Sequence, residues 1–217
     1  MLLEGPRVVA EAARSGVELD LLVVRDGDKS PVRGPRLTFT AELFKKVAQT
    51  ETPQGVLAIG RVREASAADA VAAAREARWP LVVLDRVQDP GNVGAICRTA
   101  AAAGAPAVAV LEGCADPFGP KAVRASAGNV FRLVVARGRW QDLEGLEAYG
   151  AASEGGVRLE DAAVENAGVI VLGSEAHGLS RKDLKLVTIP VSQGVESLNV
   201  AAAAAVILFE IRRRIAA

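Results

Sequence analysis

From residue 81 onward, short apolar runs alternate with segments of helical spacing. A run of three to five apolar residues bounded by turn residues suits a strand buried on both faces. The runs at 81–84, 107–111, 132–135, 150–152, 169–172 and 187–190 therefore predict strands. The segments 92–103, 120–125 and 199–214 predict helices. Strands and helices in this order imply an α/β fold, a mostly parallel sheet covered on both faces.

The preceding part has a different rhythm. Val8, Val9, Ala12 and Ala13 recur at helical spacing over 6–14, and Gly16 is a plausible stop. Residues 19–24 and 55–59 read as strands, 25–35 as a loop, and Thr40 as the cap of a helix over 41–48. This is a small α/β module. The stretch 61–78, rich in Ala, Arg and Glu, reads as a linker running into a helix. The domain limits are thus 1–62 and 79–217, with 63–78 as linker.

Composition narrows the function. With 26 basic and 26 acidic residues in 217, the formal net charge is zero. Nucleic-acid binding driven by overall positive charge is excluded, while local basic patches are not. Two cysteines and one histidine make neither a disulfide framework nor a four-ligand zinc site, so no metal is expected. The N-terminus has no basic region followed by an apolar stretch, so no signal peptide is expected. The longest apolar run, 200–209, is about half the roughly 20 residues that span a bilayer. A cytoplasmic protein with no membrane partner is the expectation. Aromatic residues are only 4%, which argues against base stacking as the main binding device.

Three motifs follow strands, where ligands of open α/β sheets sit. In the first, 89–100, Asn92 is a candidate cap, Gly94 permits a close backbone or ligand approach, and Arg98 follows on the helix. Cys97, inside the same helix, reads as a small buried filler. In the second, 169–180, Gly173 and Gly178 flank Glu175 and would offer backbone groups to a ligand, while His177 reads as an idle loop residue. In the third, 187–200, Ser197 or Asn199 can cap a helix opening on five alanines that permit close packing. Each motif alone also reads as a plain strand–turn–helix. Neither G-x-G-x-x-G nor a P-loop is present, so ordinary dinucleotide and nucleoside triphosphate fingerprints are missing.

Taken in order, the three motifs strongly resemble the SpoU (TrmH) family of RNA ribose 2′-O-methyltransferases in the SPOUT superfamily. Asn92, Gly94 and Arg98 carry the resemblance, with Gly173, Glu175 and Gly178, then Pro190, Ser197, Leu198 and Asn199. The residues from Glu4 to Arg7 and at Gly55 and Val56 also look like the small ribosomal-protein-like substrate-binding domain of many members. The resemblance implies a C-terminal trefoil-knotted methyltransferase domain, where the motifs unaided suggest a Rossmann-like sheet. It implies S-adenosylmethionine as cofactor, bound at Leu172, Gly173, Glu175, Gly178, Ile189, Val191, Ser197 and Leu198. It also implies a homodimer whose active sites borrow residues from the neighbour.

The catalytic set implied is Asn92, Arg98, Glu175, Ser197 and Asn199. Because a guanidinium remains protonated at neutral pH, the resemblance's activating role for Arg98 is best read as electrostatic. The residue would lower the pKa of a ribose 2′-hydroxyl while gripping the adjacent phosphate. Arg33, Arg36, Lys45, Lys46, Lys121, Arg124 and Arg132 are candidates for an RNA track, each with solvated surface charge as the plainer reading. Ribosomal RNA is the expected substrate. Transfer RNA and a noncatalytic RNA-binding or assembly role are the alternatives.

Overall fold

The computed structural model describes residues 1–30, 32–174 and 176–216. Its first helix, α1 (Pro6–Arg14), begins with a proline, whose missing N–H is no loss in the first turn. Val8, Val9 and Ala12 face inward, as their spacing predicts. β1 (Leu2–Glu4) precedes α1, and β2 (Glu18–Arg25), β3 (Arg36–Phe39), α2 (Ala41–Val47) and β4 (Val56–Arg61) follow it. Thr40 caps α2, its hydroxyl accepting the Leu43 amide at 3.3 Å. These strands form one sheet in the order β1-β4-β2-β3, in which only β2 and β3 run parallel. β1 and β3 escape the sequence reading because three and four residues carry too little periodicity.

The stretch 63–78, read as linker and helix, holds α3 (Ala67–Glu76) behind a Ser66–Asp69 capping box. Ala70 and Ala74 bury α3 against the large sheet, so most of this stretch belongs to that layer.

The large sheet comprises β5 (Leu81–Asp85), β6 (Ala107–Leu111), β7 (Val134–Gly138), β8 (Ala148–Ala152), β9 (Val157–Arg158), β10 (Val169–Gly173) and β11 (Lys185–Thr188). All seven run parallel, in the order β7-β6-β5-β10-β8-β11-β9. Leu81 and Val83 join the core on the α3 face, whereas Val82 and Leu84 join the core on the other. That opposite face is covered by α4 (Pro90–Ala103), α5 (Pro120–Ala125) and α6 (Val200–Ile215). Burying each large apolar side chain contributes about 1.5–3 kcal/mol.

Several strand limits differ from the sequence reading by one to three residues, and two of the differences have a local cause or bear on the site. β7 starts at Val134 because residues 129–132 form a 3-10 turn entered through Gly128 at φ +81°. β11 ends at Thr188, leaving Pro190 in the loop beyond. The two sheets share one apolar cluster, in which Leu3, Val8 and Val56 meet Val123 and Val130. An Arg132–Glu11 ion pair closes this junction. A Cβ on Gly128 would stand 2.9 Å from the Cβ of Glu11, so the backbone approaches α1 closely there. Among the described residues, no helix is long and apolar enough to cross a membrane.

Candidate active site

The site forms where the parallel strands end. β10 stops at Gly173, paired in register with Asp85 at the end of β5. β11 stops at Thr188 beside Ala152 of β8. The loops leaving β10 and β11 enclose a cavity of about 390 Å³, a size suited to a small-molecule ligand. Gly173, Gly178, Ile189, Val191, Ser197 and Leu198 line it together. Leu172 lies one residue deeper, its side chain fully buried in the core. Glu175 lies outside the described residues.

The first loop closes on itself. The Ser174 amide donates to the Gly178 carbonyl at 3.1 Å, and the Gly178 amide donates to the Ser174 carbonyl at 2.8 Å. This corrects the sequence reading of Gly178, whose N–H and C=O are engaged within the turn. Its φ of +63° fits glycine. At Gly173 a Cβ would come within 2.7 Å of the Gly178 carbonyl carbon, so glycine there permits the turn. His177, Arg181, Lys182 and Glu196 add polar groups to the cavity wall. His177, given little weight from sequence, therefore faces the site. Arg181 sits 5.3 Å from the Trp140 ring centroid and pairs with Asp183, holding that carboxyl down to about 2.

The first motif reaches the site through a hydrogen bond. Asp89, rather than Asn92, caps α4, its carboxylate accepting the Gly91 amide at 3.0 Å. Pro90 takes the first helical position, which moves Asn92 into the first turn. Asn92 Oδ1 accepts from Asn199 Nδ2 at 3.2 Å. Asn199 in turn caps α6, its Oδ1 accepting the Ala201 and Ala202 amides at 3.0 and 3.3 Å. One side chain therefore starts α6, fastens α4 and follows the cavity residues Ser197 and Leu198.

Gly94 has a packing role. A Cβ there would stand 2.2 Å from the Ala122 carbonyl oxygen, so it is α5 that approaches, not a ligand. Cys97 is fully buried, and burial pushes its thiol up to about 12, as suits an inert filler. Arg98 is exposed on α4 and is not part of the cavity wall. Its guanidinium thus stands apart from the ligand cavity within one chain.

Several expected RNA contacts are engaged inside the chain. Arg132 pairs with Glu11, Lys121 with Asp89 at 2.9 Å, and Lys46 with Glu42 at 3.1 Å. Arg124 is half-buried, with Nη1 enclosed. Arg33, Arg36 and Lys45 are exposed. Sequence reasoning missed Asp85, which falls between the predicted strand at 81–84 and the first motif. It is a carboxylate only 1% exposed at the strand end nearest Gly173, and a charged residue directly after a four-residue apolar run was the available signal. Among the described residues, no group of three or more His, Cys, Asp or Glu side chains could hold a metal ion.

A parallel α/β sheet with a strand-end cavity of small-molecule size, lacking the dinucleotide fingerprint, defines a ligand-binding α/β class. Comparison with known proteins gives the family. Residues 80–209 match the SpoU rRNA Methylase family, and residues 1–58 match the MRM3-like substrate binding domain. The 23S rRNA (guanosine(2553)-2'-O)-methyltransferase RlmP of Bacillus subtilis is 33% identical, over 97% of this chain and 88% of that protein. The SpoU methyltransferase AviRb of Streptomyces viridochromogenes, solved with AdoMet, superposes with a TM-score of 0.85 at 27% identity. That match covers 100% of this chain and 91% of the other. An AdoMet-bound rRNA methyltransferase from Sinorhizobium meliloti gives a TM-score of 0.83 at 29% identity, covering 99% and 87%. The chain belongs to the SpoU rRNA methylase family and is an S-adenosylmethionine-dependent methyltransferase.

Proposed function

We propose that this enzyme methylates a ribose 2′-hydroxyl of ribosomal RNA. The observation that carries the reading is the single cavity where the second and third motifs meet, fastened to the first by the Asn92–Asn199 hydrogen bond. The cavity fits the cofactor in kind. Ile189, Val191 and Leu198 offer apolar surface to a base, while Lys182 and Glu196 carry charges complementary to a carboxylate and an ammonium group. When bound, S-adenosylmethionine supplies an electrophilic methyl group. Gly173, Gly178, Ser197 and Leu198 hold and orient it. Arg98 stabilises the negative charge developing on the ribose O2′ and grips a neighbouring phosphate, while the hydroxyl proton leaves to water. Asn92, Glu175 and Asn199 fix the groups around it.

Ribosomal RNA is favoured by the substrate-binding domain matched over residues 1–58 and by the naming of the Bacillus subtilis relative. The exposed Arg33, Arg36 and Lys45 supply charge for that contact.

We further propose a homodimer. Val206 and Phe209 are 43% and 47% exposed on α6, and Val195 is 50% exposed in the loop that leads into it. A site shared between protomers, with Arg98 supplied by the partner, would reconcile the proposed role of Arg98 with its absence from the cavity of its own chain. The trefoil knot belongs to the same proposal, supported by the full-length superposition on a SpoU methyltransferase. So does a cytoplasmic location, which suits the free thiols Cys97 and Cys114.

The test is ribose-methylation mapping of total RNA from a strain lacking the gene, with purified protein added back. One missing ribosomal mark, restored by wild-type protein and not by an Arg98→Ala variant, is the expected result. An unchanged map argues for a noncatalytic RNA-binding role, and a missing transfer RNA mark redirects the substrate assignment.

A further inference from the structure

The carboxylate of Asp85 is buried in the sheet, a placement that is costly unless the charge is engaged. Its Oδ2 accepts the backbone amide of Ser180 at 2.6 Å, across 95 residues of sequence. Its Oδ1 lies 3.7 Å from Arg86 Nε, too long for a hydrogen bond. The short bond is therefore the principal engagement of this charge.

Ser180 ends the turn that lines the cavity. The turn leaves the sheet at Gly173, beside Asp85, and bridges Ser174 to Gly178. It then presents Leu179 to the cavity and is recaptured by Asp85 at Ser180. Leu179 fills the space left by Gly150 of β8, where a Cβ would lie 2.4 Å from Leu179 Cδ1. A second link comes from Trp140, whose Nε1 donates to Ser180 Oγ at 2.9 Å. Arg181 stacks on the same ring. The cavity wall at Gly178 and Leu179 is thus held at one end by its own bridge and at the other by the Asp85 carboxylate.

We infer that Asp85 is a positioning residue for the cofactor, holding the second-motif turn in its binding shape through the Ser180 amide. The inference rests on the reading of this cavity as the S-adenosylmethionine site. Asp85 contacts no ligand itself. It acts by removing the freedom of a turn that would otherwise have to be ordered on binding.

Calorimetric titration of S-adenosylmethionine, paired with amide exchange at Ser180, tests this. Wild-type protein should bind and should protect the Ser180 amide in the ligand-free state. Asp85→Ala should weaken binding at least tenfold and speed Ser180 exchange by a similar factor, with exchange in α1 unchanged. Asp85→Asn, whose amide oxygen still accepts, should fall between the two. It should raise KM for the cofactor while leaving kcat at saturation within about threefold of wild type. If Asp85→Ala does not fold, Asp85→Asn gives the same comparison, weakening binding and Ser180 protection by a smaller factor. Wild-type affinity in the variants, or a freely exchanging Ser180 amide in wild type, would overturn the inference and leave the cavity assignment standing. Absence of binding in wild type would overturn both.

Discussion

Gly94 and Arg98 lie four residues apart on α4 and fail differently when changed. An alanine at position 94 places its Cβ 2.2 Å from the Ala122 carbonyl oxygen and 2.7 Å from the Ala125 Cβ. α4 and α5 must then separate. Gly94→Ala should lower stability by about 1–3 kcal/mol, read as a reduced urea midpoint with an unchanged slope. Arg98 is exposed, so its substitution leaves the core alone. Arg98→Lys keeps the charge and loses the planar fork proposed to hold a phosphate and the developing alkoxide together. Turnover should fall about a hundredfold. S-adenosylmethionine affinity should stay within a factor of two, and calorimetry beside a single-turnover assay separates the effects. Near-wild-type turnover of Arg98→Lys would remove Arg98 from the chemistry.

Within elements, the capping of α6 joins stability to the site. Asn199→Ala removes two bonds to α6 amides and the link to Asn92. A lost cap costs about 1 kcal/mol, and the thermal midpoint should fall accordingly. Cofactor binding should weaken as well, because Ser197 and Leu198 precede the cap directly. The elements were largely legible in the sequence, since β6 and α5 coincide with runs whose ends are marked by Gly or Pro. The site was legible only as short motifs. Which residue caps α4 depends on a choice between Asp89 and Asn92, both good caps by type, and Pro90 decides it in three dimensions. The roles of Gly94 and Gly178 were hidden for a similar reason. A glycine announces special backbone geometry without naming its purpose: at Gly94 the backbone of α5 approaches, and at Gly178 a positive φ closes the turn bonded to Ser174. Asp85 was hidden because its partner amide is distant in sequence.

For the whole molecule, the junction between the two sheets carries a pH signature. The hydrogen bond and charge of Arg132 hold the Glu11 carboxyl below the usual range, against the opposing effect of burial. A depressed folded-state pKa means stability present above the unfolded value, about 4.3, and lost as pH falls through the folded one. Urea midpoints measured from pH 7 down to pH 3 should therefore decline more steeply in wild type than in Glu11→Gln, which should be less stable at pH 7. The proposed dimer gives a prediction at the same scale. Phe209→Glu should yield a monomer by sedimentation, with methylation reduced by at least tenfold. Mixing an Arg98→Ala protein with one defective in the cavity, such as Gly173→Val, should restore up to a quarter of the activity if each site draws on both chains. Mixtures as inactive as their components would argue for self-contained active sites.

The placement of β10 also bears on how the chain is made. Leu81 of β5 pairs with Val169 of β10, so a strand formed early waits for one synthesised much later. At about 5–20 residues per second, that edge of β5 stays unpaired for several seconds. During the wait it is an open template for other chains, and folding of the large sheet is slow by its long sequence separations. Neither wall of the cavity exists before β10 and β11 have joined the sheet. Ligand binding therefore reports that assembly has finished, and cofactor present during synthesis should raise soluble yield by mass action on the last step.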